Sequence, residues 1–167
     1  MSGGTDMATW KTPGRRLRKL RELSPSDRRT LAEATLWLPI MGAGLRILGF
    51  NRMQALLARR LRLGASRRVA GRESAVEARA VARAVKTAIR HGPYRATCLP
   101  ESLVLWSLLR RRGHPAELHI GTRTDRYRFE AHAWVQIRDV VINDAHDVQE
   151  RFASFKRDIL DVRKAEW

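Results

Sequence analysis

The sequence predicts an α+β fold in which a helical half comes first and a small antiparallel sheet follows. Apolar residues recur at helical spacing through residues 24–61 and 73–90. A third helix signal begins at Cys98, and beyond Pro115 the apolar period changes to two, which is typical of strands. At 167 residues the chain has room for one compact domain with a helical extension, and it can bury a core without a disulfide or a metal.

The first helix is predicted from a capping signal. Ser24 precedes Pro25, which suits the first helical position, and Asp27 adds an acid in the first turn. We expect an interruption at residues 39–44, because one proline and two glycines there disfavour a helix. Helical spacing then resumes and ends near Gly64.

The second helix is predicted over residues 73–90. Small side chains step along it by four, at Val76, Ala80, Ala84 and Ala88. A line of small residues predicts close packing against a neighbouring helix.

The third helix is predicted to begin within a residue or two of Cys98. Pro100 fits inside a helix only in the first turn, where a missing N–H costs nothing. Glu101 in that turn agrees with the helix dipole. Gly113, after the basic run at 110–112, is a natural residue to follow the helix end.

Three strands are predicted after the helices, over residues 117–120, 127–136 and 140–142. The last two should form a hairpin, since only a few residues separate them. Residues 158–165 are expected to be helical or irregular.

We expect the chain to divide into three regions: a basic, disordered tail over residues 1–23, a helical region over 24–90 and a compact core over 91–167.

Positive charge is concentrated in the first half of the chain. The sequence has 33 Lys and Arg residues against 17 Asp and Glu, for a formal net charge of +16. Residues 1–90 carry 20 basic and 6 acidic side chains, whereas residues 91–167 carry 13 and 11. A basic helical half attracts anions such as nucleic acid, anionic lipid or an acidic peptide. A solvated, Arg-rich surface is the equal alternative.

The single cysteine, Cys98, excludes an internal disulfide framework and a Cys-based zinc site, and predicts a reducing compartment.

Residues 1–11 are polar and lack the apolar core of a secretory signal. The longest apolar stretch, residues 34–45, is shorter than the roughly 20 residues of a membrane-spanning helix. We therefore expect a cytoplasmic protein without a cofactor or a metal, with a peripheral membrane contact left open.

Three residues suggest a site for nucleophilic catalysis. A thiol at a helix N-terminus meets the partial positive charge there, which favours the thiolate, and Cys98 is placed that way. A thiolate nucleophile needs a His to hold its proton and an acid or amide to orient that His. His132 lies mid-strand between two alanines, and Asp144 follows the next strand. The residues alone predict either a Cys–His–Asp site or a core thiol beside an ordinary His–Asp hydrogen bond.

The register of the predicted hairpin decides between these alternatives. A three-residue loop at 137–139 would place His132 directly opposite Asp144, at cross-strand contact distance. A two-residue turn would place Asp144 beside Ala133, on the other face of the sheet. A triad therefore requires the longer loop.

Five short segments together resemble one family. They are CLPESL at 98–103, LLRRRG at 108–113, LHIG at 118–121, FEAHAWV at 129–135 and VIND at 141–144. In order and spacing they resemble the lasso-peptide maturation protease, the B2 or transglutaminase-like leader peptidase family, closely over residues 91–155. The helical stretch 24–61 resembles the N-terminal region of that family more loosely. The resemblance implies a papain/transglutaminase-like cysteine peptidase core with an N-terminal helical extension.

The resemblance implies a role for each site residue. Cys98 would attack the scissile carbonyl, His132 would pass its proton to the leaving amine, and Asp144 would orient His132. The Cys98 backbone N–H is the natural first oxyanion donor. Trp134, two residues from His132 and on the same face, is expected to shield the His132–Asp144 bond or simply to pack, and is a tentative substrate contact.

The resemblance also implies partners. They are a precursor peptide with a leader, a small leader-binding recognition protein of winged-helix type that acts in trans, and an asparagine-synthetase-like cyclase. No nucleic acid is expected as a partner. Two alternatives stay open: acyl transfer to an amine instead of water, as in transglutaminases, and a basic helical module that binds nucleic acid without catalysis.

Overall fold

The computed structural model describes residues 24–62, 72–125 and 128–155. The elements are helices α1 (Pro25–Arg62), α2 (Arg72–His91) and α3 (Cys98–Arg111), strands β1 (Ala116–Asp125), β2 (Arg128–Ile137) and β3 (Val140–Val141), helix α4 (Val148–Arg151) and strand β4 (Ala153–Phe155). The predicted α+β class is confirmed. The predicted tail over 1–23 and the predicted element over 158–165 lie outside the described residues.

The four strands form one antiparallel sheet in the order β3-β2-β1-β4. β1 and β2 pair along their full length, from Ala116 opposite Ile137 to Asp125 opposite Arg128. β1 is longer than the predicted strand at 117–120, and neither α4 nor β4 was predicted. β3, with two residues, is an edge strand of the sheet.

Helix α1 begins where the capping signal predicts. Ser24 Oγ accepts a hydrogen bond from the Asp27 amide at 3.1 Å and donates one to the Asp27 carboxylate at 2.8 Å. The predicted interruption at 39–44 is wrong, because the helix continues through Pro39 and leaves helical geometry only at Gly49, where φ is 73° and ψ is 172°. Only glycine adopts that conformation readily, so the chain turns at this residue.

Two glycines in the predicted interruption allow close packing. A Cβ on Gly42 would lie 1.8 Å from Tyr94 Oη, and a Cβ on Gly44 would lie 1.7 Å from Met53 Cε. Along a straight helix, residues 44 and 53 would be about 13.5 Å apart, at 1.5 Å per residue. Their contact therefore shows that α1 folds back on itself at Gly49.

Helix α2 packs against α1 and α3, but on a different face from the predicted one. Its buried apolar residues are Ala78, Val81, Ala82, Val85 and Ala88. Of the predicted line, Ala88 is buried, whereas Val76 is 68 % exposed. The prediction of close helix packing is right. A helix has 3.6 residues per turn, so residues spaced by four rotate gradually around its axis, and the predicted residues do not all face the core.

One hydrophobic core joins the three helices to the sheet, with α3 at its centre. Every residue of α3 from Ser102 to Leu109 is buried. The core takes Leu38 and Met41 from α1, Val81 and Val85 from α2, Leu103 and Trp106 from α3, and Leu118 and Val135 from the sheet. The division into regions 24–90 and 91–167 stays a prediction, and this core runs across it.

Helix α1 is apolar over a longer stretch than the predicted residues 34–45. Pro25–Leu57 is long and apolar enough, by length and composition, to cross a membrane, with a mean hydropathy of 1.3 over its most apolar window. The core helix of a soluble protein meets the same criteria, and α1 buries Leu38 and Met41 in the core. On its outward side, Leu36 and Ile47 are exposed.

Candidate active site

Cys98 is the first residue of α3, as predicted. Thr97 precedes the helix in an extended conformation, and its carbonyl accepts a hydrogen bond from the Glu101 amide at 3.2 Å. The amides of a first helical turn have no partner within the helix, so the Cys98 N–H is available to a ligand. The Cys98 thiol is partly buried.

His132 and Asp144 are joined by a hydrogen bond of 2.5 Å between Nε2 and Oδ2. Both side chains are about a quarter exposed, at 26 % and 24 %. A neutral imidazole donates through one nitrogen and accepts through the other. Because Asp144 accepts the Nε2 proton, Nδ1 is the ring nitrogen that can act as a base.

The route to this contact differs from the predicted one. A two-residue turn joins β2 and β3, with Gln136 opposite Val141 and Ile137 opposite Val140. The prediction that the pair requires a three-residue loop is therefore wrong. Arg138, the first turn residue, has a φ of 55°, and a positive φ at this position is typical of the primed turns that close two-residue hairpins.

The side chain of Asn143 explains how Asp144 reaches the sheet face of His132 although the turn has only two residues. The last backbone bond between the two strands runs from the Ile142 amide to the Val135 carbonyl, at 2.9 Å. The Val135 amide donates to the side-chain Oδ1 of Asn143 at 2.8 Å, where a regular ladder would supply a backbone carbonyl. The regular alternation of faces ends there, so Asp144 is free to meet His132.

Asn143 also connects this segment to α3. Its Nδ2 donates to Ser102 Oγ at 3.0 Å, and Ser102 Oγ donates to the Ala133 carbonyl at 2.8 Å. Asn143 and Ser102 are both buried, so these bonds form away from competing water. The network ties the helix that carries Cys98 to the neighbours of His132 and Asp144.

The thiol lies on the side of α3 that carries this network. Cys98 and Ser102 are four residues apart and therefore share a helix face. Glu101, in the same turn, interacts electrostatically with both His132 and Asp144. Within the described ranges, His132 and Asp144 thus meet near the start of α3, while the Cys98 thiol forms no hydrogen bond to His132.

Two carboxyl groups at the site have shifted pKa values. Burial alone would raise the pKa of Asp144, but the His132 hydrogen bond, the Ala145 amide and the charges of His132 and Arg151 together hold it below the usual 3.8. Burial raises the pKa of Glu101 above the usual 4.5, against the lowering effect of the Lys86 charge. Asp144 is therefore an anion at neutral pH and can stabilise a protonated His132.

Aromatic rings pack around the His132 imidazole. The ring centroid of Trp134 lies 6.3 Å from that of His132, and the Phe152 centroid lies 5.1 Å from it. Trp134 also stacks on His119, at 5.7 Å. Trp134 is fully buried, and both its predicted substrate contact and its predicted shielding of the His132–Asp144 bond stay predictions.

Gly121 leaves room for these rings. It lies directly opposite His132 in the β1–β2 pair. A Cβ at this position would lie 2.9 Å from Trp134 Cη2 and 3.0 Å from Phe152 Cβ. Any side chain at residue 121 would therefore displace the two rings that pack on the imidazole.

Residues 147–152 support Asp144, and sequence reasoning missed them. Arg151 Nη2 lies 3.5 Å from Asp144 Oδ1, and Arg151 Nε lies 3.2 Å from Asp147 Oδ2. Phe152 follows directly and contacts His132. The available signal was the four-residue spacing of Asp147 and Arg151, which is typical of an ion pair on a helix.

No cluster in the described part of the chain has three or more His, Cys, Asp or Glu side chains placed to hold a metal ion. Two other histidines have acidic neighbours: His114 lies 3.2 Å from Glu77, and His119 lies 3.4 Å from Glu117. His119 also stacks on Trp134, which in turn packs against His132.

The fold and the site define a class of protein. The described site has a cysteine at the start of a helix and a strand histidine hydrogen-bonded to an acid, and these are the residue types used by enzymes that form an acyl group on sulfur. The family model of the transglutaminase-like superfamily matches residues 41–157, and the chain belongs to this superfamily. The superfamily generally comprises cysteine peptidases and transferases, and the domain is compatible with either activity. No curated protein and no solved structure matches the chain.

Proposed function

We propose that this protein is a cysteine peptidase that removes the leader from a lasso-peptide precursor, with Cys98 as nucleophile, His132 as base and Asp144 as the residue that orients His132. The observation that supports it most is the hydrogen bond from His132 Nε2 to Asp144, near the start of the helix headed by Cys98. The resemblance of residues 91–155 to the leader peptidase family supports the choice of substrate.

Cleavage at this site proceeds through an acyl-enzyme. The Cys98 thiol gives its proton to His132 Nδ1, and the sulfur attacks the scissile carbonyl carbon. The imidazolium then protonates the leaving amine as the C–N bond breaks. Water attacks the resulting thioester, which releases the leader with a free carboxylate and restores the thiol. Asp144 stabilises the imidazolium in both steps.

The thiol must come within hydrogen-bond distance of Nδ1 before the first step. Catalytic hydrogen bonds are often long in a free enzyme and tighten when substrate binds, so rotation of the Cys98 side chain is the smallest change required. The free Cys98 N–H at the helix start then serves as one oxyanion donor.

The proposal includes the partners and the compartment. The described residues before α3 form two helices, without the strands of a winged-helix recognition domain, which supports a leader-binding protein supplied in trans. The asparagine-synthetase-like cyclase would take the released core peptide. A single cysteine without a disulfide partner is typical of proteins in a reducing compartment, so we propose that the protein acts in the cytoplasm.

The test uses the purified full-length protein with the precursor peptide encoded beside its gene and the leader-binding protein. Mass spectrometry should detect separate leader and core peptides with the wild type and none with Cys98→Ala, while circular dichroism stays unchanged. Ser107→Ala, on the same helix but away from the His132–Asp144 pair, is the matched control and should cleave normally. Cleavage by Cys98→Ala would contradict the proposal.

A second measurement separates hydrolysis from acyl transfer. In ¹⁸O-labelled water, a peptidase places one heavy oxygen in the new leader carboxylate. With an added alkylamine, a transferase would instead release the leader as an amide. A leader amide as the main product would replace the peptidase proposal by acyl transfer at the same thiol.

A further inference from the structure

A groove lies along α2 beside the candidate active site. It has a volume of about 590 Å³, and Arg79, Arg83 and Lys86 of α2 line one side of it. The other side is the segment 139–146, which contains β3 and Asp144. Asp144 therefore belongs both to the pair with His132 and to the wall of this groove.

The three cations of the groove form one stripe. Their spacings of four and three residues place them on one face of α2, and all three are exposed. Among the described residues, none of the three forms an ion pair, although the positive charge of Lys86 lowers the pKa of Glu101. The acids of the groove are Asp139 and Asp144, and Asp144 is already bound to His132 and Arg151. The groove therefore carries an excess of positive charge.

The opposite wall offers partners for a peptide backbone. β3 is an edge strand, so the outward backbone groups of Val140–Val141 have no neighbouring strand in the described sheet. An extended peptide can add to such an edge through main-chain hydrogen bonds. Side chains two residues apart in an extended peptide are separated by about 6.7 Å, close to the axial separation of about 6 Å between Arg79 and Arg83.

We propose that this groove holds the peptide substrate as an added strand beside β3, with acidic side chains at alternating positions paired to Arg79, Arg83 and Lys86. The inference rests on the proposed function, since the groove would select the substrate of the same site. A peptide bound along β3 would lie next to Asp144 and therefore next to its hydrogen-bond partner His132. An acidic peptide fits better than a nucleic acid, because a strand edge recognises a peptide main chain.

The experiment measures binding separately from cleavage, on full-length Cys98→Ala protein. The probes are a fluorescein-labelled peptide of about eight residues with Glu at alternating positions and the same peptide with Gln. Fluorescence anisotropy should show about tenfold tighter binding of the Glu peptide, since three exposed ion pairs contribute modestly each. The preference should shrink at higher salt.

Matched variants test the location of the site. Adding Arg79→Gln, Arg83→Gln and Lys86→Gln should abolish the preference for Glu. Adding Arg60→Gln, Arg110→Gln and Arg111→Gln, which removes the same number of charges outside the groove, should leave it intact. Equal binding of the two peptides, or an equal loss in both sets of variants, would overturn the proposal, because the attraction would then be absent or due to overall charge.

Three further outcomes are distinct. A single-stranded oligonucleotide of equal charge that binds this groove more tightly than the Glu peptide would overturn the proposal in favour of nucleic acid. If the wild type cleaves no precursor but the Glu preference persists and depends on the stripe, the peptidase function fails while the groove assignment stands. If the wild type cleaves the precursor without any Glu preference, the groove assignment fails while the peptidase function stands.

Discussion

The two ends of the candidate active site are held in place by different means. Cys98 is placed by local signals, because Thr97 and Pro100 fix where α3 begins. Asp144 lies in an irregular segment, and its place depends on the bond to His132 and on the contacts of its neighbour Asn143. The position of Cys98 therefore depends on one helix, whereas the position of Asp144 depends on a network of contacts. Substitutions far from the candidate site should affect Asp144 first.

The largest effect among these positions is expected from Asp144→Ala, which tests the acid end directly. Alanine leaves the imidazole without an orienting partner, and we expect kcat to fall by about 10⁴-fold, as when the acid of a serine protease triad is removed. Peptide cleavage followed by mass spectrometry measures the loss. A urea unfolding curve close to that of the wild type is the control, and a loss of less than about tenfold would show that Asp144 does not orient the base.

Asn143→Ala tests the network rather than the chemistry. It leaves the buried Val135 N–H without its partner and removes the bond to Ser102, so we expect a loss of about 2–4 kcal/mol in the free energy of unfolding. Cleavage activity should fall too, because Asp144 is the next residue. Ser102→Ala, which removes one hydroxyl of the same network, should cost less, about 1–2 kcal/mol. Equal stability of Asn143→Ala and wild type would show that the Asn143 hydrogen bonds do not stabilise the fold.

Gly121→Ala tests the packing around His132 from the neighbouring strand β1. Its Cβ would approach Trp134 and Phe152 at 2.9 and 3.0 Å, so both rings must shift and we expect a loss of about 1–3 kcal/mol. Thr122→Ala, on the neighbouring position of β1, is the control and should change stability little. If Gly121→Ala melts at the wild-type temperature, the rings are not confined as described.

The smallest expected effect is the pH dependence of stability. The pKa of Asp144 is lower in the folded chain than its usual 3.8, so the group stabilises the fold above about pH 4 and loses this contribution as the pH falls below 3.8. Asp144→Asn should therefore lose less stability than the wild type over that acidic range. Urea unfolding at several pH values below 4 measures the difference, and parallel curves for the two proteins would contradict it.

The features predicted correctly from sequence are those with local causes. The Ser24 cap, the start of α3 at Cys98 and the helix end at Gly113, whose φ is 84°, each depend on residues within one turn. The candidate site residues were also identifiable, because a histidine between alanines in a strand is unusual without a partner. The assignment of catalytic roles to them stays a prediction.

The features missed from sequence have non-local causes. Pro39 lies inside α1, and the turn comes at Gly49, because the glycines at 42 and 44 are used for contacts with Tyr94 and Met53. The hairpin register was wrong, since nothing in the sequence shows that the Asn143 side chain replaces a backbone carbonyl. The support from residues 147–152 depends in the same way on contacts made only after the sheet has formed.

The two-residue turn between β2 and β3 has a consequence for protein engineering. Surface hairpin tips usually tolerate insertions, and linker or tag insertion often targets them. Here a residue added after Arg138 would destroy the two-residue turn, and any shift in the pairing of β2 with β3 would move the Asn143 amide away from Val135 and Asp144 away from the imidazole. Loop-length libraries of this protein should therefore leave residues 138–143 unchanged.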